Sequence, residues 1–316
     1  MMKSNLNLQL NQYESREYFI DTKGMQFCIQ ERGNPESPPV LLIMGLACQL
    51  THWPDHFIND LVELGYRVIS FDNRDVGLSE KMKSTLKIDT RIAFLSHKFG
   101  MSPQANYTLH DMANDTANII ESLDLKKVHL VGVSMGGMIA QLLAANHADK
   151  IASLTAMMSS TNSPKLPLPE LSLMLKLGKA GMAANDIDSV TKRWVKFTRD
   201  VQSPDYPTSK AEITKSITRS FRRSFSPGGT IRQLQAILAT GSIEKDINKI
   251  NLPTQVIHGL EDPLLKPECA KAIVKEISNA KLHLIPGMGH DLPEQISLYL
   301  TQIISQHIKK AEQQSQ

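Results

Sequence analysis

Little stands out in the composition of this 316-residue chain, and each scarcity closes off a class of protein. It has three cysteines, Cys28, Cys48 and Cys269, far apart and without a CxxC spacing. Three thiols cannot all pair, so neither a disulfide framework nor a zinc site is expected, and a reducing compartment suits the count. Charge is also scarce in net terms: 35 Lys and Arg face 32 Asp and Glu, leaving +3. A chain that grips nucleic acid by neutralising phosphates needs a larger imbalance, so no nucleic-acid partner is expected. No stretch approaches the ~18–20 consecutive apolar residues of a bilayer span. The first 19 residues are polar throughout and lack the apolar run of a signal peptide. The expectation is a soluble cytoplasmic protein with no stable membrane insertion.

What the chain does have is alternation. Short apolar runs rich in β-branched residues lie at Val40–Met44, Tyr66–Phe71, Val128–Val133, Ile151–Ala156, Thr254–His258 and Lys281–Ile285. Their apolar character is continuous, as required of strands buried on both faces of a parallel sheet. Helical patterns fall between and after them, at His56–Leu64, His110–Leu123, Met135–Asn146, Pro267–Ile277 and Pro293–Ile308. Asp111 is read as the N-cap of the second of these. Tyr18–Ile20 and Met25–Gln30 read as an antiparallel hairpin on the sheet edge. The fold class is α/β, a mostly parallel, doubly wound sheet.

The alternation stops between residues 161 and 241, where helical segments run without a buried strand. This is too long for a loop and is expected to form a separate helical cap. The core then comprises residues 1–160 and 242–316. The insertion carries 13 Lys and Arg against 6 Asp and Glu. Those charges either solubilise the outer helix faces or form a basic mouth for anionic ligands.

The strongest chemical signal is Gly132-Val133-Ser134-Met135-Gly136. G-x-S-x-G between a strand and a helix puts a serine on a strained turn at the top of the sheet, with small neighbours so that strand and helix do not collide. Serine needs a base, and the base needs an orienting acid. Of ten histidines, only His290 lies in a Gly-rich loop beyond a strand at the edge where ligands collect in such sheets. His258 also ends a strand, but its neighbours suggest a side chain packed near the sheet. The acid should leave the strand between Ser134 and His290, which offers Glu261 and Asp262. Asp262 is favoured because Pro263 fixes the turn around it. Asp291, beside His290 in sequence, is read as an N-cap for the helix that follows. The oxyanion of acyl transfer needs two donors: the Met135 N–H and, from the turn after the first parallel strand, the Leu46 N–H.

These residues, in this order, resemble the α/β-hydrolase fold family over essentially the whole chain. Phe71-Asp72-Asn73-Arg74-Asp75-Val76-Gly77-Leu78-Ser79 is similar to the D-x-R-x-x-G-x-S turn of its cap-bearing members. The segments around Leu42–Leu46, Trp53–Asp55, Arg232–Ile237 and Ile257–Leu264 are similar to a bacterial subgroup of aclacinomycin methylesterase-like hydrolases. Where much of the family has His-Gly, this chain has Met44-Gly45. The resemblance implies the α/β-hydrolase fold with an inserted cap and hydrolysis of small-molecule carboxylic esters, with no metal or cofactor. It also implies a structural role for the 72–79 turn, with Arg74 in a buried polar network.

Apolar residues suggest a substrate pocket: Met44 beside the oxyanion turn, and Met158, Met174 and Trp194 at or within the insertion, with Met182 near them. Acyl transfer, perhydrolysis and C–C bond hydrolysis all use the same triad and remain alternatives to ester hydrolysis. Ser134 excludes the dehalogenase and epoxide-hydrolase route, which needs Asp at the elbow. A non-catalytic ligand receptor is the reading from a different class, and it usually lacks a triad member.

Overall fold

The apolar runs pair into one eight-stranded sheet in the computed structural model, which describes residues 14–83, 89–181 and 186–314. The strands are β1 Arg16–Thr22, β2 Met25–Arg32, β3 Pro39–Ile43, β4 Arg67–Phe71, β5 Val128–Val133, β6 Ile151–Met157, β7 Thr254–Gly259 and β8 Lys281–Ile285. Their order is β1-β2-β4-β3-β5-β6-β7-β8, with β1 and β2 antiparallel at one edge and β3 to β8 parallel. The expected edge hairpin is present. The helices are α1 Asp55–Glu63, α2 Thr90–Lys98, α3 Leu109–Ser122, α4 Met135–Asn146, α5 Leu171–Gly181, α6 Ile187–Val201, α7 Lys210–Arg223, α8 Pro227–Thr240, α9 Glu244–Ile247, α10 Pro267–Glu276 and α11 Ser297–Gln314.

Both faces of the sheet are covered, for the reason legible in the strands. Along β3, Val40 and Leu42 join a core with Phe57 and Leu61 of α1 and Leu300 and Ile304 of α11. Leu41 and Ile43 point the other way, into a core with Met112 and Ile119 of α3 and Ile139 and Leu143 of α4. Each of these side chains contributes about 1.5–3 kcal/mol by leaving water. A one-residue slip in register would exchange the two sets.

Two helix starts differ from the sequence reading. The N-cap of α3 is Thr108, and Asp111 instead closes a capping box by accepting from the Thr108 N–H at 2.7 Å. The Thr108 hydroxyl satisfies the amide of residue 111, so the acid serves the cap from inside the first turn. Asp291 caps no helix: Pro293 precedes the short turn Glu294–Ile296 that leads into α11. The Asp291 carboxylate instead accepts two hydrogen bonds from Ser203. Helix α2 was not anticipated, and its exposed Ile92 and Leu95, with Phe99 just beyond its end, explain why no core-facing stripe announced it.

Four longer helices, α5 to α8, fill the stretch between β6 and β7. Two of their arginines are engaged with buried core carboxylates. Arg223 on α7 reaches Asp72 and Glu17, and Arg232 on α8 makes two bonds to Asp75, at 2.6 and 2.8 Å. Glu17 is an exposed residue of β1, whereas Asp72 and Asp75 lie in the 72–79 turn and are fully buried. Between them, Arg74 makes a bidentate pair with Asp115 and stacks over Tyr107.

Candidate active site

The parallel strands end level with one another, which gathers residues distant in sequence along one rim. Val133, Met157 and Ile257 are register partners across β5, β6 and β7, and Gly259 pairs with Ile285 across β7 and β8. Ser134, the 260–262 turn and the 286–291 loop therefore leave the sheet at the same edge.

Ser134 sits between β5 and α4 at φ +56° and ψ −122°, backbone that a side-chain-bearing residue rarely adopts. Its surroundings explain the two glycines. A Cβ on Gly136 would lie 2.0 Å from the Ile43 carbonyl oxygen, and one on Gly132 would lie 2.3 Å from the Gly136 carbonyl oxygen. The Ser159 hydroxyl, two residues beyond β6, donates to the Ser134 carbonyl at 2.8 Å and braces the turn.

Asp262 and His290 meet directly. Nδ1 of His290 lies 2.6 Å from Oδ2 of Asp262. The other oxygen of Asp262 accepts from the Leu264 and Leu265 amides at 2.8 and 2.9 Å, so the carboxylate is buried and satisfied. A carboxylate only accepts, so Nδ1 carries the proton and Nε2 keeps its lone pair. Burial opposes charging of His290, but the charge and hydrogen bond of Asp262 and the charge of Asp291 outweigh it. Its pKa is held above the ordinary imidazole value. Glu261, the alternative acid, is exposed, and its amide bonds the Met288 carbonyl. Ser134 Oγ makes no direct hydrogen bond to His290 in this geometry, and such contacts often tighten only with substrate bound.

His258 is buried at the same place. Its Nε2 donates to the Leu265 carbonyl at 2.7 Å and stands 3.5 Å from Asp262. Burial lowers its pKa, against the pull of Asp262, and keeps it neutral. The turn that presents two amides to Asp262 is thus held from behind by a histidine that the sequence placed only near the sheet.

The loop after β3 passes over the serine so closely that a Cβ on Gly45 would be 3.2 Å from Ser134 Cβ. Met135 is the first residue of α4, where amides point outward unpaired. Among the described residues, neither the Leu46 nor the Met135 N–H is taken by a protein acceptor. Two residues missed by sequence reasoning shape this loop. Asn73 donates to the Met44 carbonyl at 3.0 Å, and Gln233 of α8 accepts from the Ala47 amide at 2.9 Å. Gln233 also donates to the Arg74 carbonyl at 2.8 Å. No local signal marks them, since each acts across a long stretch of chain.

The four pocket candidates fall in different places. Met44 and Met158 are buried in the core shared with Val133 and Met288, close under the elbow. Met174 is half-buried on α5. Trp194 packs against Phe197 and Phe221 and lines a small cleft with Ala47, Phe225 and Thr230. Met182 lies outside the described residues.

Residues 38–295 match the family model described as the alpha/beta hydrolase fold. The chain belongs to that family. It is 24% identical over 296 residues to rhodomycin D methylesterase from Streptomyces peucetius, covering 88% of this chain and 93% of that one. The resemblance to aclacinomycin methylesterase-like hydrolases is borne out at that modest identity. Among solved structures, the enol-lactonase from Burkholderia xenovorans superposes with a TM-score of 0.71 at 19% identity, covering 92% of this chain and 100% of that one. The meta-cleavage product hydrolase from Pseudomonas fluorescens gives 0.72 at 18% identity, covering 93% and 98%. At such identities the likeness is one of fold. No helix among the described residues is long and apolar enough to cross a membrane.

Proposed function

We propose that this α/β-hydrolase is a serine esterase that cleaves small-molecule carboxylic esters through an acyl-enzyme. The single observation that carries the reading is the 2.6 Å contact between His290 Nδ1 and buried Asp262. It fixes the tautomer that leaves Nε2 as a base on the rim where Ser134 stands at a strained turn. Ser134 Oγ attacks the ester carbonyl while His290 Nε2 takes its proton. Asp262 stabilises the imidazolium that forms, and the Leu46 and Met135 amides hold the oxyanion. His290 then protonates the leaving alcohol. Water, deprotonated by the same nitrogen, releases the acid and frees Ser134. The insertion 161–241 acts as a cap over the site, with Met44 and Met158 forming its apolar floor and Met174 and Trp194 facing the substrate.

The test is turnover of p-nitrophenyl esters of increasing acyl length. Ser134→Ala removes the burst of p-nitrophenol and labelling by a fluorophosphonate, and leaves the circular dichroism spectrum unchanged. A burst that survives in this variant overturns the reading, and so does a wild-type protein that neither turns over nor reacts with the probe. Product analysis with an added alcohol separates hydrolysis from acyl transfer.

A further inference from the structure

The loop bearing His290 is fastened to the insertion. The His290 amide donates to the Val201 carbonyl at 2.7 Å, at the last residue of α6. The Gly289 amide donates to the Ser203 hydroxyl at 2.9 Å, and the Asp205 amide donates to the Gly287 carbonyl at 3.3 Å. Ser203 in turn donates to Asp291 Oδ1 twice, from its amide at 3.0 Å and from its hydroxyl. The two segments touch backbone to backbone. A Cβ on Gly289 would be 2.6 Å from the Val201 and Gln202 carbonyl oxygens, and one on Gly287 would meet the Asp205 side chain.

Ser203 is wholly buried, and its hydroxyl has one proton, which goes to Asp291. That commitment turns an oxygen lone pair to the Gly289 amide, so the carboxylate fixes the direction of a bond made by a different residue. The backbone just before and at His290 is then held from the insertion side, while Asp262 holds the ring. A second, half-buried carboxyl next to the Asp262–His290 pair is costly to desolvate, and a loop staple alone could be built from neutral groups. Burial raises the pKa of Asp291 and the two Ser203 donors oppose the rise.

Resting on the esterase reading above, we propose that Ser203 and Asp291 are positioning residues that set His290 for proton transfer and couple its placement to the seating of α6. Asp291 does so as a fixed neighbouring charge, and Ser203 as the joint between insertion and loop. Among the described residues, the titratable groups acting on or coupled to the imidazole are Asp262 and His258 from the end of β7 and its turn and Asp291 from its own loop, while Asp205 meets the loop further back, at Gly287. Among the described residues, only Asp291 combines a place next to His290 with a side-chain bond to the insertion.

The test uses Ser203→Ala, Ser203→Thr and Asp291→Asn in the full chain, with folding checked by circular dichroism. Ser203→Ala should lower kcat on the order of 10²-fold with KM little changed, as a misplaced catalytic group does, and Ser203→Thr should recover most of it. Asp291→Asn should lower the His290 titration midpoint read by imidazole NMR and move the acid limb of kcat/KM to lower pH. The proposal falls if that midpoint stays put, or if Ala and Thr at 203 are equally slow or equally unimpaired. The NMR midpoint is read without turnover. A protein inactive on esters would therefore sink the esterase reading and still leave this proposal decided by the Asn variant.

Discussion

Arg223 of the insertion places a guanidinium nitrogen 2.7 Å from Oδ2 of Asp72, a core carboxylate with no exposed surface. The same side chain bonds Glu17, Gln49 and the Cys28 sulfur. Asp72 also accepts from the Leu50 and Leu78 amides, so it ties the loop after β3, its own turn and α7 together. Arg223→Ala strands a buried charge and is expected to cost about 3–5 kcal/mol. Adding Asp72→Asn should recover part of that. A urea-midpoint series on the single and double variants measures both, and additivity of the two changes would refute the coupling.

The Asp262–His290 contact makes a second prediction. Asp262→Asn should reduce kcat on the order of 10⁴-fold, as in the serine-protease case, because an amide cannot hold the same tautomer. In the wild type, His290 must be neutral to act as base and its pKa is raised, chiefly by Asp262 against the pull of burial. Activity should therefore fall with acid from a midpoint above ~6.5, the free imidazole value. A kcat/KM profile with its acid limb below that value contradicts the assignment.

Packing at the elbow sets a third. Gly136→Ala puts a methyl 2.0 Å from the Ile43 carbonyl oxygen, and the Met44 carbonyl oxygen is 2.7 Å away. Backbone on both sides of the contact must move, so the loss should reach at least about 1–3 kcal/mol, with activity impaired through the shifted oxyanion loop. Denaturant unfolding and ester turnover read the two effects. An unaffected variant would show that strand and helix are less closely joined.

Acid should also weaken the fold through buried histidines outside the Asp262–His290 pair. Burial pushes the pKa of His52, His129 and His307 down to about 4. The unfolded chain protonates these groups near ~6.5, so their stabilising contribution is complete above that pH and is lost as pH falls from there through 4. His290, with a raised pKa, works in the opposite sense, losing its contribution only as pH rises through its folded value. Tm should drop between pH 6.5 and 4, and less steeply in His307→Gln. A Tm flat over that range would rule this out.

The strands were legible because continuous apolar runs such as Val128–Val133 have one stable use, burial on both faces. Gly132-Val133-Ser134-Met135-Gly136 was legible for a related reason: only small residues fit where β5 turns into α4 under the β3 loop. The roles of Asp111 and Asp291 were misjudged because an acid near a helix start has several possible partners. Thr108 in one case and Ser203 in the other decided between them. Helix α2 went unseen because its apolar side chains point outward and give no core-facing period.

The sequence by itself determined the parallel α/β core, the serine on its tight turn and the short list of bases and acids, since these follow from hydrophobic runs and local sterics. Only tertiary structure decided that Asp262 rather than Glu261 meets His290, that Gln233 and Asn73 shape the loop beside Ser134, and that basic residues of the insertion answer buried acids of the core. Such choices depend on which polar groups meet once water has left. Pairing between groups 28 to 186 positions apart leaves no periodic trace along the chain.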